Sequence, residues 1–211
     1  MGGTSKAFIL LGGKALLATT VGPFEECSLV DQIVLVVSQE DVERCWQLVR
    51  DEGWTKVAAV KEGGPRRQDS VAQGLRALSP CQWVVVHDGA RPLVSVQLIQ
   101  AGLEAARETG AAVAGVPVVD TIKVVGEGDL VGDTPPRESL RAVQTPQVFR
   151  YDLLRQAHYQ VTQDVSDDAA MVEALGHRVR VYPGSPTNIK ITTPGDLTVA
   201  ELFLKIRASV G

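Results

Sequence analysis

The stretch Val84-Val85-Val86-His87-Asp88-Gly89-Ala90-Arg91-Pro92 constrains this chain more than any other. Trp83 to Val86 is apolar at consecutive positions rather than alternate ones, which suits a strand buried on both faces, the usual condition of a parallel strand. The run ends abruptly in an acid, a glycine and an arginine. In open α/β sheets ligands bind beyond the carboxyl ends of the strands, where the departing loops form a crevice. Asp88 can hold a hydroxyl or a cation there, and Arg91 a phosphate. Taken alone, the segment also reads as a surface turn with an ion pair of little energy.

The rest of the chain repeats the pattern. Ile33–Val37, Val57–Val60, Ala112–Val119 and Arg178–Tyr182 read as further strands. Helix punctuation lies between them. Asp69 or Ser70 caps a helix whose Val71, Leu75 and Leu78 share a face, and Ser95 opens another that closes at Gly110. Ser166 begins a third with Asp167 and Asp168 in its first turn and Gly176 as its stop. Thr193, Pro194 and Asp196 start the last, which runs to about Arg207. Strands separated by helices predict an α/β fold, a doubly wound and mostly parallel sheet with right-handed crossovers. Thr121–Pro136 breaks the rhythm with hairpin punctuation and no helix. A two-stranded hairpin is marginal alone in water, so this arm packs either on its own sheet or on another subunit.

With 211 residues the chain suits one domain with a full core. A net charge of −4 argues against bulk attraction to nucleic acid or an anionic membrane, while leaving room for a local basic pocket. Cys27, Cys45 and Cys81 are odd in number and lack metal-ligand spacing, which reads as reduced thiols in the cytoplasm. No apolar stretch is long enough to span a bilayer, and Met1 to Lys6 lacks the core of a signal peptide. His87, His158 and His177 have no second ligand at helix or hairpin spacing, so a zinc site is not expected and His87 reads as a structural hydrogen-bonding residue. Nucleophile-elbow and Walker motifs are absent from the sequence.

Besides the opening feature, four clusters combine charge with flexible backbone. Lys6 precedes an apolar stretch. Gly63-Gly64 leads through Arg66-Arg67 into a helix start, where backbone amides favour anionic groups. Arg137 and Gln144-Thr145-Pro146-Gln147 follow the hairpin. Lys190 alternates with Ile189 and Ile191, so in a half-buried strand it points to solvent or into a cleft. Asp167-Asp168 resembles a carboxylate pair, but helix capping accounts for it.

In this order the clusters resemble the 2-C-methyl-D-erythritol 4-phosphate cytidylyltransferase family. The carriers are Lys6-Ala7-Phe8, Gly63-Gly64 with Arg67-Gln68-Asp69-Ser70-Val71, His87 to Pro92, Asp120-Thr121-Ile122-Lys123, Gln144 to Gln147, and Asn188-Ile189-Lys190-Ile191-Thr192. The resemblance spans Lys6 to Leu204. It implies one Rossmann-like nucleotidyltransferase domain over 1–211, with 118–140 as a protruding β-hairpin arm that embraces a second subunit in a homodimer. It implies transfer of a cytidylyl group from CTP to a sugar-alcohol phosphate in isoprenoid biosynthesis, chemistry that needs positioned cations rather than a nucleophile. Lys6, Lys190 and Arg137 are then the catalytic cations. Gly64, Arg67, Ser70, Asp88 and Gly89 hold the cytidine side; Asp88, Arg91, Thr121, Arg137, Thr145 and Lys190 face the sugar phosphate, Thr121 and Arg137 in the neighbour's site. Magnesium is expected to arrive on the triphosphate rather than in a protein cage.

The chain departs from the family at its beginning. Members open with an apolar strand and a glycine-rich, arginine-containing loop that wraps the triphosphate, and Met1 falls where that loop ends. If the native chain starts at Met1, the resemblance implies unpaired strand edges at the centre of the sheet and weakened CTP binding; if Met1 is an internal methionine, the strand and loop precede it. Two other readings are a cytidylyltransferase for ribitol 5-phosphate and a catalytically impaired scaffold that keeps the fold.

Overall fold

Strands and helices alternate through residues 5–210, which the computed structural model describes; Met1 to Thr4 of the N-terminal reading lie outside them. A short turn at Lys6–Phe8 leads to β1 (Leu10–Leu11) and β2 (Lys14–Ala15), then α1 (Leu16–Glu26), β3 (Ile33–Val37), α2 (Val42–Glu52), β4 (Val57–Glu62), α3 (Arg67–Ala77) and β5 (Trp83–Val86). There follow α4 (Val96–Thr109), β6 (Ala111–Pro117), β7 (Val124–Val125), β8 (Val131–Asp133), β9 (Arg141–Arg150), α5 (Tyr151–Gln160), α6 (Asp168–Ala174), β10 (Arg180–Pro183) and α7 (Pro194–Val210).

Local chemistry explains several ends. Gly12 and Gly13, both at positive φ, close the β1–β2 hairpin, a geometry that glycine adopts without steric cost. Ser95 Oγ accepts from Leu98 N at 3.1 Å to start α4, and Gly110 at φ 81° ends it. Two cap assignments shift. The residue before α3 is Arg66; Asp69 reaches back from the first turn to accept from Arg66 N at 3.2 Å. Asp167 rather than Ser166 caps α6, accepting from Ala170 N at 2.9 Å.

The main sheet has the order β10-β6-β9-β5. β10 pairs with β6 in parallel, while β9 runs against both β6 and β5. Three of its four strands point the same way, but two of its three pairings are antiparallel rather than parallel as expected, because the reversed strand β9, which the sequence reading did not contain, lies between β6 and β5. The sequence of β9 hides it, because Pro146 and three polar neighbours do not read as a central strand. The register shifts between Val113 and Gly115, so Gln144, Thr145 and Pro146 drop out of the regular ladder and are displaced beside the strand ends.

Helices cover both faces. Leu75 of α3, Leu153, Leu154 and Ala157 of α5, and Met171 and Val172 of α6 pack on Val84, Val113 and Phe149. Leu98, Ile99 and Ala106 of α4 pack with Cys27 on Ala112, Ala114, Val148 and Tyr182. Burying an aromatic such as Phe149 contributes about 1.5–3 kcal/mol.

β3 and β4 form a separate parallel pair. Between β3 and β5 lies a slot of about 1100 Å3, lined by the whole of both strands with Leu17, Val21, Leu75 and Gly89. Ile33 and Val37 bond toward β4, and Gln82 toward β9, so by alternation the backbone groups of Val34, Val36, Trp83 and Val85 face the slot. Among the described residues no strand pairs with either edge.

β7 and β8 pair antiparallel within the expected hairpin, and Val119, Val124, Val125, Leu130 and Val131 on it are exposed. Cys27, Cys45 and Cys81 are unpaired. Among the described residues no helix is long and apolar enough to cross a membrane.

Candidate functional site

Asp88 stands at the carboxyl end of β5, and cations from three separate segments converge on it. Lys190 Nζ is 2.9 Å from Asp88 Oδ2, Arg67 Nε donates to Oδ1 at 3.3 Å, and Arg91 Nε lies 3.8 Å from Oδ2. Burial pushes the Asp88 carboxyl up, but Lys190 and Arg67 overcome it and hold the group below its ordinary value, so it is ionised near neutrality. Burial also lowers Arg91, with Asp88 partly offsetting it. Around this hub is a polar pocket of about 270 Å3, lined by Arg67, Asp88, Arg91, Thr145 and Lys190 together with Ser166 and Asp167. Three cations face two carboxylates there, an excess suited to an anionic ligand. Arg91 Nε is buried without a hydrogen-bond partner among the described residues, a donor that a phosphate oxygen would satisfy.

The loops are locked by a directed hydrogen-bond chain. His87 Nε2 lies 3.0 Å from the Arg91 carbonyl, which only accepts, so Nε2 carries the proton and Nδ1 is bare. The Thr145 hydroxyl therefore donates to Nδ1 at 3.0 Å while accepting the Asp88 N–H at 3.0 Å. Burial pushes the imidazole down to about 4, consistent with this neutral form. His87 is thus the structural residue that the sequence suggested.

Asn188, fully buried, donates to the Thr145 carbonyl at 2.8 Å, and Arg91 Nη1 donates to the Asn188 carbonyl at 2.8 Å. Ile191 N donates to the Ala90 carbonyl at 2.8 Å. These bonds dock the 188–191 segment against the 88–91 loop. Lys190 is on that loop rather than on a strand, and it turns inward to Asp88.

The other expected residues fall in three places. Ser70 and Gly89 line the slot beside Arg67 and Asp88. Gly64 N–H is already donated to Ser70 Oγ at 3.1 Å, so that amide serves the loop's own structure, and a Cβ at Gly64 would overlap Asp69. Lys6 Nζ donates to the Thr192 carbonyl at 3.4 Å, which places it beside the Lys190 loop. Thr121 and Arg137 are exposed on the hairpin and do not line the pocket of their own chain; Arg137 Nη1 instead donates to the Val119 carbonyl at 2.9 Å.

Sequence reasoning assigned no binding role to Asn188, Gln147, Ser166 or Asp168. Asp168, the first residue of α6, makes no capping bond; Arg67 Nη1 instead donates to its Oδ2 at 2.6 Å. Gln147 donates to Asp167 Oδ2 at 2.7 Å. These contacts join residues 20 and 101 positions apart, and no local pattern announces them.

A profile of the 2-C-methyl-D-erythritol 4-phosphate cytidylyltransferase family matches residues 1–206. The chain belongs to that family. A cytidylyltransferase of this description from Dehalococcoides mccartyi is 48% identical over 205 residues, covering 97% of this chain and 90% of the relative. One from Alkaliphilus oremlandii is 45% identical, over 96% of this chain and 88% of its own. The crystal structure of the Thermus thermophilus enzyme superposes with a TM-score of 0.81 at 40% identity, covering 95% and 94% of the two chains. In this cytidylyltransferase fold the Asp88 hub occupies the strand-tip crevice, bordered by Arg67, Arg91, Thr145 and Lys190 from four of the motifs quoted for the family, while the motif at Thr121 lies on the exposed hairpin.

Proposed function

We propose that the Asp88 cleft joins CTP to 2-C-methyl-D-erythritol 4-phosphate, giving 4-diphosphocytidyl-2-C-methyl-D-erythritol and pyrophosphate in the non-mevalonate route to isoprenoids. The observation that carries this is the convergence of Arg67, Arg91 and Lys190 on one ionised carboxylate around a small polar pocket. An oxygen of the sugar phosphate attacks the α-phosphorus of CTP. The bond to the β-phosphate breaks, and pyrophosphate leaves with that electron pair. Charge accumulates on the equatorial oxygens, where Lys6 and Lys190 stabilise it electrostatically. Arg67, Ser70, Gly64 and Gly89 form the nucleotide side. Arg91 binds the sugar phosphate, with its unpartnered Nε as a ready donor, and Thr145 and Asp88 border the polyol.

The arm extends the site to a second copy. Val119, Val125, Leu130 and Val131 are each more than half exposed, an apolar surface that a homodimer partner would cover. Thr121 and Arg137 then act in the neighbouring site. Residues 1–211 form a single nucleotidyltransferase domain on this reading, with 118–140 as its dimerisation arm.

Magnesium enters on the nucleotide. Asp88 is already shared among three cations, and the described residues contain no group of three or more His, Cys, Asp or Glu able to cage an ion. The donor set fits a metal held mainly by phosphate and water oxygens, which neutralises triphosphate charge. Free Cys27 and Cys45 in the core agree with a cytoplasmic setting.

Pyrophosphate release measured with CTP and either methylerythritol phosphate or ribitol 5-phosphate tests the assignment. Turnover with the first at least about tenfold more efficient in kcat/KM is expected. Equal or better use of ribitol 5-phosphate would overturn the substrate, and no release with either would overturn the activity in favour of a scaffold.

A further inference from the structure

Arg67 is held on two sides. In front, its Nε donates to Asp88; behind, its Nη1 donates to Asp168 Oδ2 at 2.6 Å, the shorter of the two contacts. Asp168 is fully buried, and its other oxygen lies 2.9 Å from Nε2 of His158, itself almost wholly buried on α5. Both carboxylate oxygens are therefore engaged, one by each neighbour. The helix does not require this arrangement, because Asp167 already caps α6. A buried carboxylate beside a part-exposed guanidinium gains little stability, since desolvation offsets the attraction. What the pair does supply is orientation. A guanidinium is a rigid planar fork, and carboxylates on two different nitrogens fix its plane.

We infer that Asp168, braced by His158, is a positioning residue that sets the plane of Arg67 for the nucleotide. Arg67 lines both the slot and the polar pocket, and its Nη2 makes no hydrogen bond among the described residues. With Nε and Nη1 tied to Asp88 and Asp168, Nη2 is left to meet an anionic or hydroxyl oxygen of CTP. Without Asp168 the guanidinium is tethered at one nitrogen and swings about it. The inference rests on the assignment of Arg67 to the CTP side of the cleft.

Pyrophosphate-release kinetics on the full chain test it, varying CTP and the sugar phosphate in turn for the wild type, Asp168→Asn, Asp168→Glu and Arg67→Lys. Loss of the rear anchor is expected to raise KM for CTP about tenfold in Asp168→Asn, with kcat and the KM for the sugar phosphate within about threefold. Asp168→Glu restores the CTP KM to within about threefold of wild type. Arg67→Lys keeps the charge but not the fork, and it behaves like Asp168→Asn; the double variant is no worse than either single one. A CTP KM for Asp168→Asn within about twofold of wild type, or additive effects in the double variant, overturns the proposal. Should Asp168→Asn lack a cooperative urea transition, Arg67→Lys alone decides, and a CTP KM within about twofold of wild type overturns it. Should the wild type release no pyrophosphate, the cytidylyltransferase reading itself fails; calorimetric titration with CTP then reads the same tenfold ratio as Kd, and equal Kd values overturn the positioning role.

Discussion

Replacing His87 with glutamine should flatten the acid limb of the stability curve. In the folded chain burial brings the imidazole down to about 4 from its ordinary value near 6.5. Between these values the unfolded chain binds a proton that the folded chain refuses, so stability rises with pH across this window. His87 thus contributes fully above about pH 6.5, and its contribution is lost as pH falls toward about 4. The full interval corresponds to about 3 kcal/mol, a ceiling because the half-buried ring borders the slot, where water can reach it. A second cost acts in the same direction. A proton on Nδ1 opposes the Thr145 hydroxyl proton, which must turn away and weaken the chain to Asp88 N. Glutamine can donate to the Arg91 carbonyl and does not titrate. Urea unfolding at about pH 7 and about pH 4.5 should show the wild type losing about 1–3 kcal/mol more than His87→Gln over that interval. His158 and His177 are present in both proteins and cancel. Parallel losses, within about 0.5 kcal/mol, would refute the buried neutral imidazole and the proton order built on it.

Two further outcomes test the scaffold. A Cβ at Gly102 would lie 2.6 Å from Tyr182 Oη and 2.8 Å from Val148 Cγ2, so Gly102→Ala should destabilise the domain by about 1–3 kcal/mol in urea titration despite alanine's better helix propensity, and an unchanged midpoint would contradict the packing of α4 on β9 and β10. Hydrogen exchange should find the amides of Val34, Val36, Trp83 and Val85 at least about 100-fold less protected than those of Leu35 and Val84, because the former face the slot; uniform protection would mean that both edges are paired.

Features set by short-range chemistry were legible in the sequence. Ser95 with Gly110, and Thr193 with Pro194 and Asp196, marked helix ends because a cap is made within one turn. Asp88 and Arg91 could be placed at a strand tip because the apolar run of β5 stops just before them. Lys190 was harder: its alternation with isoleucines suggested a strand, whereas a loop docked through Ile191 and Asn188 carries it to Asp88. β9 escaped because Pro146 argues against a central strand until the register shift opposite Val113 and Gly115 removes that penalty. The Arg67–Asp168–His158 and His87–Thr145–Asn188 contacts join distant parts of the chain, and only the packed fold brings them together.

Whether the cations gathered at Asp88 carry out phosphoryl transfer is decided by Lys190→Ala. Lys190 is nearly half exposed and belongs to no strand, so the variant should keep its urea midpoint within about 0.5 kcal/mol of wild type. Its kcat/KM for pyrophosphate release from CTP and methylerythritol phosphate should fall at least about 100-fold. Turnover within about threefold of wild type in a folded variant would contradict that role.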